Sequence, residues 1–433
     1  MKSRISTRVA GIALLAAFAM APVRLTAQTA QTAYKIVPLD TLGGLNGGGS
    51  GINDRGWATG FANQQGDTVS HAALWVGGPQ AIDLGALGGP GFNSAVAWPV
   101  KSNNGVVVGI SDTDAEQQPA DNFSCYPFFA TGSPTGKVCK GFRWVNGEMT
   151  ALPPFPGGFN SYATAVNSRG EMVGWAENGV ADPTCTPAVQ TLQFRAVIWE
   201  PEGTMKELPP LPGDSTSAAT AINDLGQVVG ISGACGVAVG SVSAAHSVLW
   251  QNGVPIEIPN LGGHAWNTPT AINNFGTVVG FSLPAGQDGT LNFEAFLWSQ
   301  PGGLQRLGKL QPSDKRSEAL GLNEKNQVVG LSVSAENVPR GFIWENGVMT
   351  DLNAMTTPSS QFLLFANDIN DRGEITGESF DPNTQAAPAF LGIPVLDGTA
   401  GAGQAVTNVS QLATLPDKVR KHIERRLGPV AHY

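Results

Sequence analysis

AINDLGQVVG, residues 221–230, recurs with small changes along the whole chain. GINDRGWATG begins at 51, AVNSRGEMVG at 165, AINNFGTVVG at 271, GLNEKNQVVG at 321 and DINDRGEITG at 368. A weaker copy, VKSNNGVVVG at 100, has Ser102 where the others have Asn. The Asn residues 167, 223, 273, 323 and 370 are spaced by 56, 50, 50 and 47 residues, so each copy marks one unit of about fifty residues.

Two further signals accompany each copy in fixed order. A Leu-x-x-Leu-Gly-Gly relative precedes it, as in LDTLGG at 39, LGALGG at 84 and IPNLGG at 258. An apolar tetrapeptide follows it, ending at Trp75, Trp144, Trp199, Trp250, Trp298 or Trp344, with Gly392 in that slot in the seventh unit. The residues before the Asn are small and alternating, and Asn-Asp-x-Gly is turn chemistry, since Asn and Asp bond their own backbone and Gly accepts positive φ. The Val-Val-Gly segment, the Trp tetrapeptide and the segment after an Asn-Gly turn read as three more strands. Seven units of four short strands predict an all-β, seven-bladed β-propeller. A β-solenoid is the alternative, but its coils are shorter and lack hairpin turns. The seventh unit stops after its third strand, while YKIVPLDTL at 34–42 aligns with a fourth strand, so the N-terminal strand is expected to close the ring.

The Asn-Asp-x-Gly-x-Val-Val-Gly segment together with HAALW (His71 to Trp75) and EAFLW (Glu294 to Trp298) resembles the bacterial extracellular HAF repeat. The resemblance covers roughly 34–397. It implies an exported repeat protein and brings no established catalytic residues with it.

Composition agrees with this reading. Charged residues are only 14%, whereas Gly (55) and Pro (30) supply close to a fifth of the chain, which suits short strands joined by many turns. A net charge of -9 argues against nucleic acid, whose partners carry basic surfaces. Lys2, Arg4 and Arg8 precede an apolar run from Val9 to Val23 and small residues through LTAQTAQTA, which predicts a signal peptide over 1–27, cleaved between 27 and 33. An uncleaved anchor is the alternative. The mature protein is expected to be periplasmic or extracellular, not integral to the membrane, and monomeric.

The four cysteines of an exported chain read as two disulfides. Cys125 and Cys139 share one long insertion, and Cys185 and Cys235 lie in corresponding loops of neighbouring units, so pairing 125 with 139 and 185 with 235 is expected. Metal binding by these residues is not, because no paired Cys-x-x-Cys stands in the sequence. No cofactor is indicated: the Gly-rich stretch at 43–51 lacks the Lys-Ser/Thr and helix of a phosphate loop.

In a four-stranded blade the loop between strands 2 and 3 and the connection from strand 4 to the next blade share one face. The 2–3 loops vary from 13 residues between Gly330 and Trp344 to 34 between Gly109 and Trp144, whereas the turns of the other face are short and uniform. Ligands are expected on the elaborated face. The Trp of the tetrapeptides reads as core and the repeated Asn as a turn-former. Trp266 lies outside that Trp slot, in LGGHAWN, with His264 and Asn267; an indole beside polar groups suits stacking on a sugar ring. Asp214 and Glu318 occupy equivalent loops of the adjoining blades, and a His with two carboxylates is a combination capable of metal binding or acid–base work. No catalytic residue is assigned. Residues 398–409 read as a linker and 410–433 as a helical tail, with Thr414 as cap and Gly428 at the stop. Within 414–428, five basic residues stand against two acidic ones. The tail reads most simply as solvated, with docking on the acidic body or contact with an anionic envelope surface as alternatives. The function expected is binding of a glycan or another envelope component, with a hydrolase or lyase acting on an extracellular polymer as the alternative.

Overall fold

In a computed structural model, the structure describes residues 32–97, 100–101, 104–117, 129, 136–187, 190–235, 244–395, 420–421 and 423. The first strand, β1 (Ala33–Pro38), comes from the N-terminal end of the described chain. Blade 1 follows with β2 (Gly43–Ile52), β3 (Trp57–Gln64), β4 (Ser70–Val76) and β5 (Ala81–Asp83). Blade 2 comprises β6 (Ser94–Ala95), β7 (Val107–Glu116), β8 (Lys137–Val145) and β9 (Glu148–Leu152). Blade 3 comprises β10 (Ser161–Val166), β11 (Met172–Ala181), β12 (Leu192–Trp199) and β13 (Met205–Leu208). Blade 4 comprises β14 (Thr216–Ile222), β15 (Val228–Gly233), β16 (His246–Gln251) and β17 (Val254–Ile258). Blade 5 comprises β18 (Thr268–Ile272), β19 (Val278–Ser282), β20 (Glu294–Ser299) and β21 (Gly303–Gly308). Blade 6 comprises β22 (Arg316–Leu322), β23 (Val328–Val333), β24 (Pro339–Glu345) and β25 (Val348–Asp351). Blade 7 has β26 (Phe362–Ile369), β27 (Ile375–Phe380) and β28 (Ala389–Val395), and takes β1 as its fourth strand, Ala33 opposite Val395 and Pro38 opposite Phe390. The chain is therefore a seven-bladed propeller whose ring is closed by its N-terminal strand.

Each residue of the repeated segment has a physical task. The Val pair is fully buried, as at Val228 and Val229. The Gly of the turn has positive φ, +79° at Gly226 and +74° at Gly276, and in blade 6 Asn326 takes the slot at +58°. The final Gly lies opposite a register break of the innermost strand, where a Cβ on Gly230 would stand 2.1 Å from the Ala218 carbonyl oxygen. No side chain fits there. The Trp rings are core: Trp75, Trp199 and Trp250 are buried, and their indole N–H groups donate to the carbonyls of Asp40, Pro153 and Pro209.

The Gly-rich stretch at 43–51 is the innermost strand β2. Glycine at position 49 is a packing requirement: a Cβ there would stand 2.0 Å from Thr376 Oγ1 of blade 7. Within the tail, one described residue differs from the solvated expectation. Arg420, Lys421 and Ile423 have helical backbone, and Ile423 is 3% exposed against apolar side chains of blades 6 and 7. Apolar contact overrides the expectation drawn from its charge.

Candidate functional site

The short Asn-Asp turns converge on one mouth of the central channel, where residues 52–54, 101, 166–168, 222–224, 272–274, 322–324 and 369–371 enclose a cavity of about 90 Å³. The repeated Asn does two jobs there. Asn223 Oδ1 accepts the N–H groups of Leu225 and Gln227 at 3.1 and 2.9 Å, which makes the turn. Its Nδ2 donates to the carbonyl of Asn273 in the next blade at 3.0 Å. Asn273 donates likewise to Asn323, Asn323 to Asn370, and Asn370 to Asn53, at 3.2, 3.0 and 2.9 Å. The following residue adds a second set: the Asp224 N–H donates to Asn274 Oδ1, that of Glu324 to Asp371 and that of Asp371 to Asp54, at 2.8, 2.8 and 2.9 Å. These amides and carboxylates stitch blade to blade.

Blade 2 interrupts the pattern. Ser102 lies outside the described residues, and Asn104 Nδ2 reaches the carbonyls of Asn167 and Ser168 at 3.5 and 3.4 Å. Lys101 crosses the channel instead. Its Nζ lies 3.1 Å from Asp368 Oδ1 and donates to the Ile369 carbonyl at 3.2 Å and to that of Leu322. Asp368 is fully buried, and its Oδ2 accepts the Ile52 N–H at 2.9 Å. Burial pushes its carboxyl above the ordinary value, while Lys101 and the Ile52 N–H pull the other way.

On the elaborated face, Cys185 and Cys235 form the expected disulfide between blades 3 and 4. Cys139 is disulfide-bonded as well; its expected partner Cys125 falls outside the described residues. Beside the bridge, Asp182 accepts Thr184 N and Oγ1 at 2.9 and 2.7 Å and Thr216 Oγ1 at 3.2 Å, while Thr184 Oγ1 accepts the Cys235 N–H at 2.9 Å. Burial raises the Asp182 carboxyl, but hydrogen bonds from Thr184, Ser215 and Thr216 outweigh it and leave the group below its usual range. Disulfide and carboxylate together hold two neighbouring loops in one arrangement.

The sequence-predicted ligand residues occupy blade 5 and its neighbours. His264 is exposed, and its N–H donates to Asp288 Oδ1 at 2.9 Å. Trp266 is half-buried with φ +57°, and its ring lies 5.2 Å from that of Phe293, which meets Phe281 at 5.0 Å. The Arg316 guanidinium covers Phe293 at 4.8 Å. Asn267 is fully buried: Nδ2 donates to the carbonyls of Ala245 and Gly263 at 2.8 and 3.2 Å, and Oδ1 accepts Ser282 Oγ at 2.6 Å. Asp214 accepts Ser232 Oγ at 2.6 Å, and Glu318 pairs with Arg316 Nε at 3.4 Å. Trp266 and His264 thus share one loop, whereas Asp214 and Glu318 are engaged within their own blades. Among the described residues, one set of three metal-competent side chains has ligand atoms within 4.8 Å of one another: Asp182, Cys185 and Cys235, whose sulfurs are joined to each other.

Sequence reasoning missed the rings beneath Trp266, because Phe293 and Phe281 belong to other segments of the unit. It also missed Lys101, although the loss of Asn at 102 marked that turn as different.

No family model matches the chain, and no curated protein does. Among solved structures, the chain is similar to the β-propeller domain of the Trilobed protease from Pyrococcus furiosus, at 8% identity over 85% of this chain and 99% of that one, with a TM-score of 0.47. It is similar also to virginiamycin B lyase from Staphylococcus aureus, at 11% identity over 84% and 100% with a TM-score of 0.44. A streptogramin B lyase gives 12% over 84% and 98% with a TM-score of 0.45. These likenesses concern chain architecture and not chemistry.

Proposed function

We propose that this is an exported propeller that binds a glycan or another cell-envelope component on its elaborated face, with the Trp266 loop as contact. The observation that carries the reading is the state of Trp266. A bulky residue at φ +57° costs on the order of 1 kcal/mol, and strain of this kind persists where the surroundings impose it, commonly at ligand clamps. Here Phe293 backs one side of the indole, and the exposed His264 stands two residues away. An indole held on a rigid backing loses little entropy when a sugar ring stacks on it. Disulfide bonding at Cys185–Cys235 supports export, since such bonds persist in oxidising compartments. No helix of the described residues is long and apolar enough to cross a membrane.

A panel of envelope polysaccharides and oligosaccharides tests the proposal. Trp266→Ala is expected to lose affinity at least tenfold with melting preserved; equal affinity in a folded variant removes Trp266 from the site. Depolymerisation of a bound polymer moves the reading to a hydrolase or lyase.

A further inference from the structure

Blade 7 departs from the other blades at its innermost strand. Blade 4 has Thr216, Ser217 and Ala218 before Ala219, where β26 has Phe362, Leu363, Leu364 and Phe365 before Ala366. Pairing shows how the extra bulk is placed. Blades 3, 4, 5 and 6 share one register break in this strand pair, and blade 7 has that break between Ala366 and Asp368 plus a second between Leu363 and Phe365. The second break inserts Leu364. A bulge of this kind re-aims a side chain. Leu364 is fully buried, in a cluster with Phe362, Phe380, Val333 and Val338, and the side chain that completes this cluster is Ile423.

Phe362 begins the innermost strand, Val333 ends β23 and Phe380 ends β27, so the cluster sits on the elaborated face between blades 6 and 7. Ile423 reaches it from a segment about thirty residues beyond the end of β28 in sequence. Charge favours the same contact. Residues 414–428 carry +3 and the whole chain -9, which leaves -12 on the remainder.

We propose that blades 6 and 7 form a socket for one apolar anchor, and that the chain fills it in cis with its own basic C-terminal segment through Ile423. Leu364 is the wall built for that anchor. The docking stands independently of any glycan reading.

Limited trypsinolysis of the full chain tests the socket. Arg420 and Lys421 are exposed, so protection of their bonds reports whether the helical backbone is held and not whether the side chains are covered. Cleavage tracks the population of the opened segment when opening is fast. Ile423→Ser, and Leu364→Ala acting from the propeller side, are each expected to speed cleavage after Arg420 and Lys421 at least tenfold, while Ile423→Leu stays near the wild-type rate. Equal rates for wild type and Ile423→Ser overturn the proposal. Ile423→Ser decides the matter even if Leu364→Ala fails to fold, because Ile423 lies outside the blades.

Discussion

Lys101 of blade 2 and Asp368 of blade 7 form an ion pair of 3.1 Å, although these two blades are not neighbours. The ammonium also binds carbonyls of blades 6 and 7, so one side chain ties the weakest copy of the repeat to the far side of the ring. Gly321 accommodates the arrangement, since a Cβ there would stand 2.8 Å from Asp368 Oδ1.

Replacing Lys101 by Met leaves a buried carboxylate without its counter-ion. The expected loss is about 3 kcal/mol, toward the lower end for a broken pair because the Lys side chain keeps 34% exposure. The folded-state carboxyl of Asp368 titrates above its unfolded value, so its contribution to stability is present below the unfolded value and is lost as pH rises through the folded one. Removing the ammonium raises the folded value further. Denaturant titrations should therefore show the Lys101→Met deficit greatest near neutrality and shrinking in acid; a pH-independent deficit contradicts the pairing.

Asn273→Asp keeps the turn-making oxygen and removes the donor that reaches Asn323 of the next blade at 3.2 Å. Leaving a buried carbonyl unpaired costs about 1–3 kcal/mol. Chemical denaturation checks the loss. A neutral result assigns the recurrence of Asn among the repeats to turn formation alone.

Deleting residues 33–38 removes β1 and opens the edge of β28. An unpaired edge recruits other chains. Light scattering and thermal melting of the shortened protein should show aggregation and a lower Tm, and unchanged values contradict ring closure by this strand.

Cys185→Ser with Cys235→Ser opens a loop of 50 residues, worth about 4 kcal/mol by the chain-entropy account. Unfolding should shift accordingly, and hydrogen exchange should rise in the loops around Asp182. If only the global shift appears, the bridge does not organise those loops.

Much of the architecture was legible in the repeats. Turn chemistry, the alternation of small residues and the Trp tetrapeptides are local signals with a fixed period, so strand order, blade number and the closing strand followed from them. The pairing of Cys185 with Cys235 followed from their equal position in adjacent units. The Trp266 loop stood out because its indole broke the pattern.

Other features depend on contacts between residues far apart in sequence. That Asn223 bonds the next blade as well as its own turn is visible only when carbonyls some fifty residues apart meet. That Gly49 must lack a side chain is visible only when Thr376 of blade 7 is placed against it. Lys101 and Ile423 are a solvated cation and a tail residue by local pattern. The closed ring brings Lys101 to Asp368, because closing a propeller converts distance along the chain into contact across its centre, and Ile423 joins the apolar cluster that contains Leu364.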